Sequence, residues 1–151
     1  MKMDNTDIKI LRELQKDSRL SIRELSKRVN LSPPSVAERI RKLEDRGVIE
    51  GYTIKINEKA LGLNIECIIQ IDLKNSGFEN FKKFIYNHPR VKFCYRIAGH
   101  SCILVKLSVE SILEIEKFVD SVAALNATTT TNIIFSKVPT DESVEKFFVN
   151  I

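Results

Sequence analysis

The 151-residue chain is predicted to be an α+β protein, with an all-helical N-terminal domain followed by a β-α-β-β-α-β domain. Three observations carry that prediction. Apolar residues recur at helical spacing through the first fifty residues and then switch to strand-like alternation. Two short amphipathic helices near the N-terminus are separated by only Asn30 and Leu31. The excess positive charge sits on one stretch, where Arg19, Arg23, Lys27, Arg28, Arg39, Arg41, Lys42 and Arg46 face four acids, while the rest of the chain balances at 16 bases and 16 acids.

The first helix is expected from about Asp4 to Lys16, with Ile8, Leu11 and Leu14 on one side and Asp4 as its cap. The second, from about Ser21 to Val29, carries Ile22, Leu25 and Val29 at helical spacing and opens with the Ser21-x-x-Glu24 capping box. The third runs from Ser32 to about Arg46, with Ser32 as N-cap and Pro33 at the position that needs no N–H. Val36, Ile40 and Leu43 form its stripe, and Gly47 ends it. Asn30 tolerates the left-handed backbone of a tight corner, and Leu31 can plug the angle between helices. Helices joined so tightly bury their stripes only by crossing steeply over the first helix. That is a helix-turn-helix, of winged-helix-like type, spanning Ile22 to Arg41 within a domain of residues 1–50.

Val48, Ile49, Tyr52, Ile54 and Ile56 suggest a strand or hairpin, and residues 51–63 read as a linker. In the second domain, residues 64–151, a strand from Ile65 to Leu73 precedes a helix from Phe78 to Asn87. A strand with Val91, Phe93, Tyr95 and Ile97 turns at Gly99 into another from Cys102 to Val109. A helix from Ser111 to about Leu125, with Ile112, Ile115, Val119 and Val122 on one face, leads to a last strand from about Thr128 to Val138. This order is the split βαβ of ferredoxin-like folds. The odd positions of the first strand (Ile65, Cys67, Ile69, Ile71) should take the helices. The other face still holds Ile68 and apolar residues of later strands, and a second subunit in a two-fold dimer is its simplest cover. The tail from Pro139 suggests a short helix using Val144, Phe147 and Phe148.

With the stripe of the third helix turned inward, Pro34, Glu38, Arg41 and Lys42 face outward, and Ser35 and Arg39 lie on the flanks. The N-terminal part of such a helix approaches base edges in the major groove of double-stranded DNA. Ser35, Glu38 and Arg39 are therefore the candidate base readers, since arginine donates twice to guanine and glutamate accepts from cytosine. Arg19, Arg23, Arg41, Lys42 and Arg46 are placed for phosphates, which fix register without reading sequence. Nothing points to catalysis: no nucleophile-histidine-acid spacing or glycine-rich phosphate loop appears. His88 reads as a helix-end cap or surface residue and His100 as an exposed turn residue. The three cysteines lack metal or disulfide spacing and read as reduced core thiols, so no cofactor or metal is expected. No apolar run reaches the length of a membrane helix, and the opening MKMDNTDIK has acids where a secretory signal needs an apolar stretch. A cytoplasmic location is the expectation.

The stretch from Ser21 to Thr53, SIRELSKRVNLSPPSVAERIRKLEDRGVIEGYT, resembles the DNA-binding half of the Lrp/AsnC family, the leucine-responsive or feast/famine regulators. The resemblance rests on LSKRV, the LSP before the third helix, ERIRKLE, and the G-x-I-x-G-Y-T that follows; ILRELQKDSRLS upstream also fits. The βαββαβ half is similar to the family's effector-sensing and oligomerisation domain. The resemblance implies a transcription factor acting as a homodimer joined through its C-terminal sheets and assembled further into tetramers or octamers. It also implies control by a small amino acid. The corresponding effector turn, commonly G-D-x-D, is here Gly99, His100, Ser101 and Cys102. Gly99 matches, but neither aspartate is present, so a natural partner for an ammonium group is missing. The competing reading is an architectural protein that bends or compacts DNA with weak sequence preference and no amino-acid effector. Some haem-pathway decarboxylases share the two-domain resemblance; two histidines and a near-neutral C-terminal half do not suit a multiply charged tetrapyrrole.

Overall fold

Short polar residues just ahead of each apolar stripe determine where the N-terminal helices begin. In the computed structural model, which describes residues 3–74 and 77–140, α1 spans Asn5–Lys16, α2 Ile22–Val29 and α3 Pro33–Asp45. Asp4 caps α1, its Oδ1 accepting from the amides of Thr6 (2.9 Å) and Asp7 (2.8 Å), while Asp7 Oδ2 accepts from the Asp4 amide. Ser21 and Glu24 form the expected reciprocal box on α2, and Ser32 caps α3. Asn30 takes the left-handed conformation (φ 56°, ψ 48°), and Gly47 (φ 66°) turns the chain out of α3. Ile10, Leu25, Val36 and Leu43 are essentially fully buried where the three helices meet. Each such side chain contributes about 1.5–3 kcal/mol, and Leu31 packs against this cluster from the turn.

The strand or hairpin expected over Val48 to Ile56 does not form: residues 48–57 take no strand pairing, and Ile54 is 79% exposed. Alternation becomes a strand only where a second strand accepts the backbone hydrogen bonds, and none of the described residues supplies one there. Instead a 3-10 turn, Glu58–Leu61, is capped by Asn57 and closed by Gly62 at φ 85°.

The second unit, Ile56–Val138, is built from β1 (Ile65–Leu73), α4 (Phe78–Tyr86), β2 (Val91–Arg96), β3 (Ile103–Val109), α5 (Ile112–Ala123) and β4 (Ala127–Ile133). The antiparallel sheet has the order β2-β3-β1-β4, as a ferredoxin-like arrangement requires. Cys67, Ile69 and Ile71 of β1 and Val105 and Leu107 of β3 are buried under the helices, with Phe81 of α4 and Phe118 of α5 closing the core. On α5 the buried set is Ile115, Phe118 and Val122, and Ile112 is exposed. Ile112 and Phe118 lie about 60° to either side of Ile115 on the helix, and the bulkier ring takes the core position. The last strand stops at Ile133 and not near Val138. The amide of Ile134 still donates to the Glu66 carbonyl (2.9 Å), but β1 begins at Ile65 and offers little beyond.

The helix-free face is less uniformly apolar than expected. Phe93 and Tyr95 stack at 4.9 Å on the β2 side beside Leu104, whereas Gln70, a Lys106–Glu66 pair and Thr128, Thr130 and Asn132 make the rest polar apart from Ile68. Cys67, Cys94 and Cys102 are free thiols, and burial pushes the first two up from the ordinary thiol range. No helix among the described residues is long and apolar enough to cross a membrane. The tail helix expected around Val144, Phe147 and Phe148 lies outside the described residues.

Candidate nucleic-acid interface

The capped corner at Asn30 fixes α3 rigidly on α1 and α2, so its outer face is a preformed surface. Pro34, Ser35, Glu38, Arg41 and Lys42 are all exposed there. The Ser35 hydroxyl lies 2.8 Å from that of Ser32, close to the helix start. Glu38 pairs with Lys42 one turn on (2.7 Å), and that hydrogen bond holds the Glu38 carboxyl below its ordinary range. Arg41 makes no ion pair with any described residue. Arg19 and Arg23 are likewise exposed without an ion pair among the described residues, and Arg46 is exposed at the end of α3. Arg28, counted in the basic stretch, is engaged by Glu13 of α1 at 2.8 Å.

Arg39 differs from expectation. Its Nη1 donates to Asp7 Oδ1 (2.7 Å) and to Asp4 Oδ2 (2.8 Å), so one nitrogen bridges both carboxylates at the start of α1. The Asp7 side chain is only 5% exposed and the Arg39 side chain 31%. The two acids hold the guanidinium firmly charged, Asp7 first and Asp4 second. Asp4 is held below the ordinary carboxylate range by the Asp7 amide foremost, with Arg39 adding to the effect. In this structure Arg39 is therefore a clamp between α3 and α1, with its Nη1 taken by two carboxylates. The physical reason is that a buried carboxylate needs a cation more than an exposed groove does. Sequence reasoning saw Asp4 only as a cap and missed Asp7. The signal was an acid pair in the first turn of α1 with an arginine on the flank of α3.

In the second unit the turn holding Gly99, His100, Ser101 and Cys102 joins β2 to β3. Gly99 has φ 154° and open space around it, and His100 is exposed. Cys102 is tied to β1, its amide donating to the Ile71 carbonyl (3.2 Å) and its Sγ accepting from the Leu73 amide (3.4 Å). Ser101 Oγ reaches Gln70 Oε1 at 3.4 Å. The turn brings a hydroxyl, a thiol and an amide side chain together and contributes no carboxylate. His88 is not a surface cap: it is half-buried between Phe84 (5.3 Å) and Phe118 (5.1 Å), and burial lowers its pKa.

Residues 3–50 match the family described as winged helix-turn-helix DNA-binding, and residues 66–144 match the Lrp/AsnC ligand binding domain. The HTH-type transcriptional regulator LrpC of Bacillus subtilis is 46% identical over 140 residues, covering 93% of this chain and 96% of that protein. Its solved structure superposes with a TM-score of 0.88, covering 93% of this chain and all of the other. The leucine-responsive regulatory protein of Rhizobium meliloti is 36% identical over 79% of this chain and 78% of its own length. A regulator of Neisseria meningitidis, NMB0573, solved as its complex with L-methionine, superposes with a TM-score of 0.86 at 26% identity, covering 95% of this chain and 96% of that one.

Proposed function

Because the chain belongs to the Lrp/AsnC family of DNA-binding transcriptional regulators, we propose that it reads a specific site in the major groove through the first half of α3. The observation that carries this reading is the exposed, capped start of α3 on a basic stretch that carries the whole net excess of +4. Ser35 and Glu38 take base edges. Arg41, Lys42, Arg46, Arg19 and Arg23 take phosphates, and Arg39 holds the helix at its angle.

The protein works as a homo-oligomer in the cytoplasm, in dimers that cover the Phe93–Tyr95–Leu104 side of the sheet and assemble further into tetramers or octamers. Its DNA binding responds to a small amino acid, as the methionine complex of the neisserial relative suggests, with the turn from Gly99 to Cys102 contributing to the site. Architectural DNA binding is the second reading, and one observation favours it. The only arginine in the first two turns of α3 is committed to Asp4 and Asp7, which leaves fewer groups to read bases.

Binding measured against salt separates the two. A regulator keeps a preferred site about 10³-fold or more tighter than random DNA at physiological salt. Equal affinity for selected and random duplexes across the salt range would refute the specific reading. Footprints recurring at one helical turn or its multiples are expected from the oligomer.

A further inference from the structure

The α4 stripe runs past the edge of the sheet and leaves a groove of about 350 Å³ against β2 and β3. Phe81 and Ile103, both 1% exposed, form its floor with the half-buried Cys94. At one end stand two cations over the same ring: Arg96 Cζ lies 4.8 Å and Lys82 Nζ 5.3 Å from the Phe78 centroid. Lys82 is partly neutralised by Glu79 at 2.7 Å, whereas Arg96 makes no ion pair with any described residue. No carboxylate among the described residues lines the groove. All of these residues belong to the second unit, and the groove lies on the helix-covered face of the sheet.

We infer that this groove binds a small apolar monocarboxylate that carries no amino group, such as a branched-chain 2-oxo acid. The volume is at the small end of ligand sites. The apolar floor takes a branched or aromatic tail, and Arg96 takes the carboxylate through its planar fork. A single negative charge fits a rim in which one of two cations is already paired. An amino acid would bring its ammonium against Arg96 and Lys82, where the acid at that end, Glu79, is already paired with Lys82. This site is separate from the proposed amino-acid effector turn and stands whether or not that turn binds anything.

The test uses the full chain with three probes: 4-methyl-2-oxopentanoate, L-leucine and uncharged 4-methylpentanamide. Two readouts are titration calorimetry and protection of Cys94 from alkylation, followed by mass spectrometry of its peptide. The oxo acid should bind one per chain with Kd of about 1 mM or tighter and protect Cys94. Leucine and the amide should protect at least about tenfold less effectively. The R96Q variant, at an exposed position, should keep the melting temperature and lose oxo-acid affinity by about tenfold or more. Three outcomes overturn the inference: no oxo-acid binding at about 10 mM, affinity unchanged in R96Q, or equal protection of Cys94 by leucine. A leucine signal that neither protects Cys94 nor responds to R96Q is binding elsewhere, and it leaves the oxo-acid result to decide.

Discussion

Replacing Arg39 with alanine distinguishes a clamp from a base reader. Asp7 is 4% exposed, and among the described residues its carboxylate accepts, apart from Arg39, only from the Asp4 amide at 3.2 Å. Removing the guanidinium strips the Asp7 carboxylate of a charge-assisted bond worth about 1.5–3 kcal/mol. The bond to Asp4 adds little, since that side chain is 51% exposed and screened ion pairs contribute about 0–1 kcal/mol. The N-terminal unit should therefore lose about 2–3 kcal/mol. Amide exchange at Ile10 and Leu25, buried in that unit alone, should speed up by roughly 30- to 150-fold. DNA affinity should fall alike on all sequences. An Asp7→Asn change should add little to Arg39→Ala, giving a coupling of about 1–2 kcal/mol in the double-mutant cycle. Exchange within about 0.5 kcal/mol of wild type, together with lost discrimination at a single base pair, would return Arg39 to the base-reading set.

Three other outcomes are expected. Asn30→Ala should destabilise the N-terminal unit by about 1–2 kcal/mol, because alanine pays the left-handed cost that asparagine tolerates, while Asn30→Gly should lie closer to wild type; exchange at Leu25 reads both. Arg41→Ala should weaken every sequence alike and lower the slope of log affinity against log salt by about 0.9 if it holds one phosphate; an unchanged slope removes it from the phosphate set. His88 is lowered in the folded state by burial, Arg90 adding to the effect and Glu114 opposing it. The unfolded chain then binds the proton more readily. The neutral-histidine contribution is complete above the unfolded pKa of about 6.5 and is lost as pH falls from there through the folded value. Urea unfolding of the second unit should be weaker at the acid end of that window, and a His88→Leu variant should lose the dependence.

Features encoded within a few residues were legible in the sequence. The Ser21–Glu24 box, the Ser32–Pro33 start, the left-handed Asn30 and the Gly47 exit each depend on neighbours three or four positions away, and each forms as its residues dictate. The alternation of β1 likewise declares which face is buried. What was not legible needed a distant partner. Arg39 is set by acids 32 and 35 positions earlier, and β4 stops at Ile133 because of where β1 starts. Tyr52, Ile54 and Ile56 alternate correctly but have no strand beside them among the described residues. His88 next to Pro89 looks like a helix stop, and only the fold brings Phe84 and Phe118 around it. In the interface, the exposed face of α3 was readable from the wheel. Which of its charges are already spoken for was not.

The register of β1 sets a schedule during synthesis. It is made first among the strands yet sits between β3 and β4, pairing Ile65 with Val109 on one side and Cys67 with Ile133 on the other. At ribosomal rates of about 5–20 residues per second, its second partner arrives roughly 3–13 s after it does. Throughout that interval a run containing five isoleucine or leucine residues has an open edge, the kind of segment that recruits other chains. Glu66, Gln70 and Asp72, spaced along its helix-free side, interrupt that run with polar groups until β4 closes it.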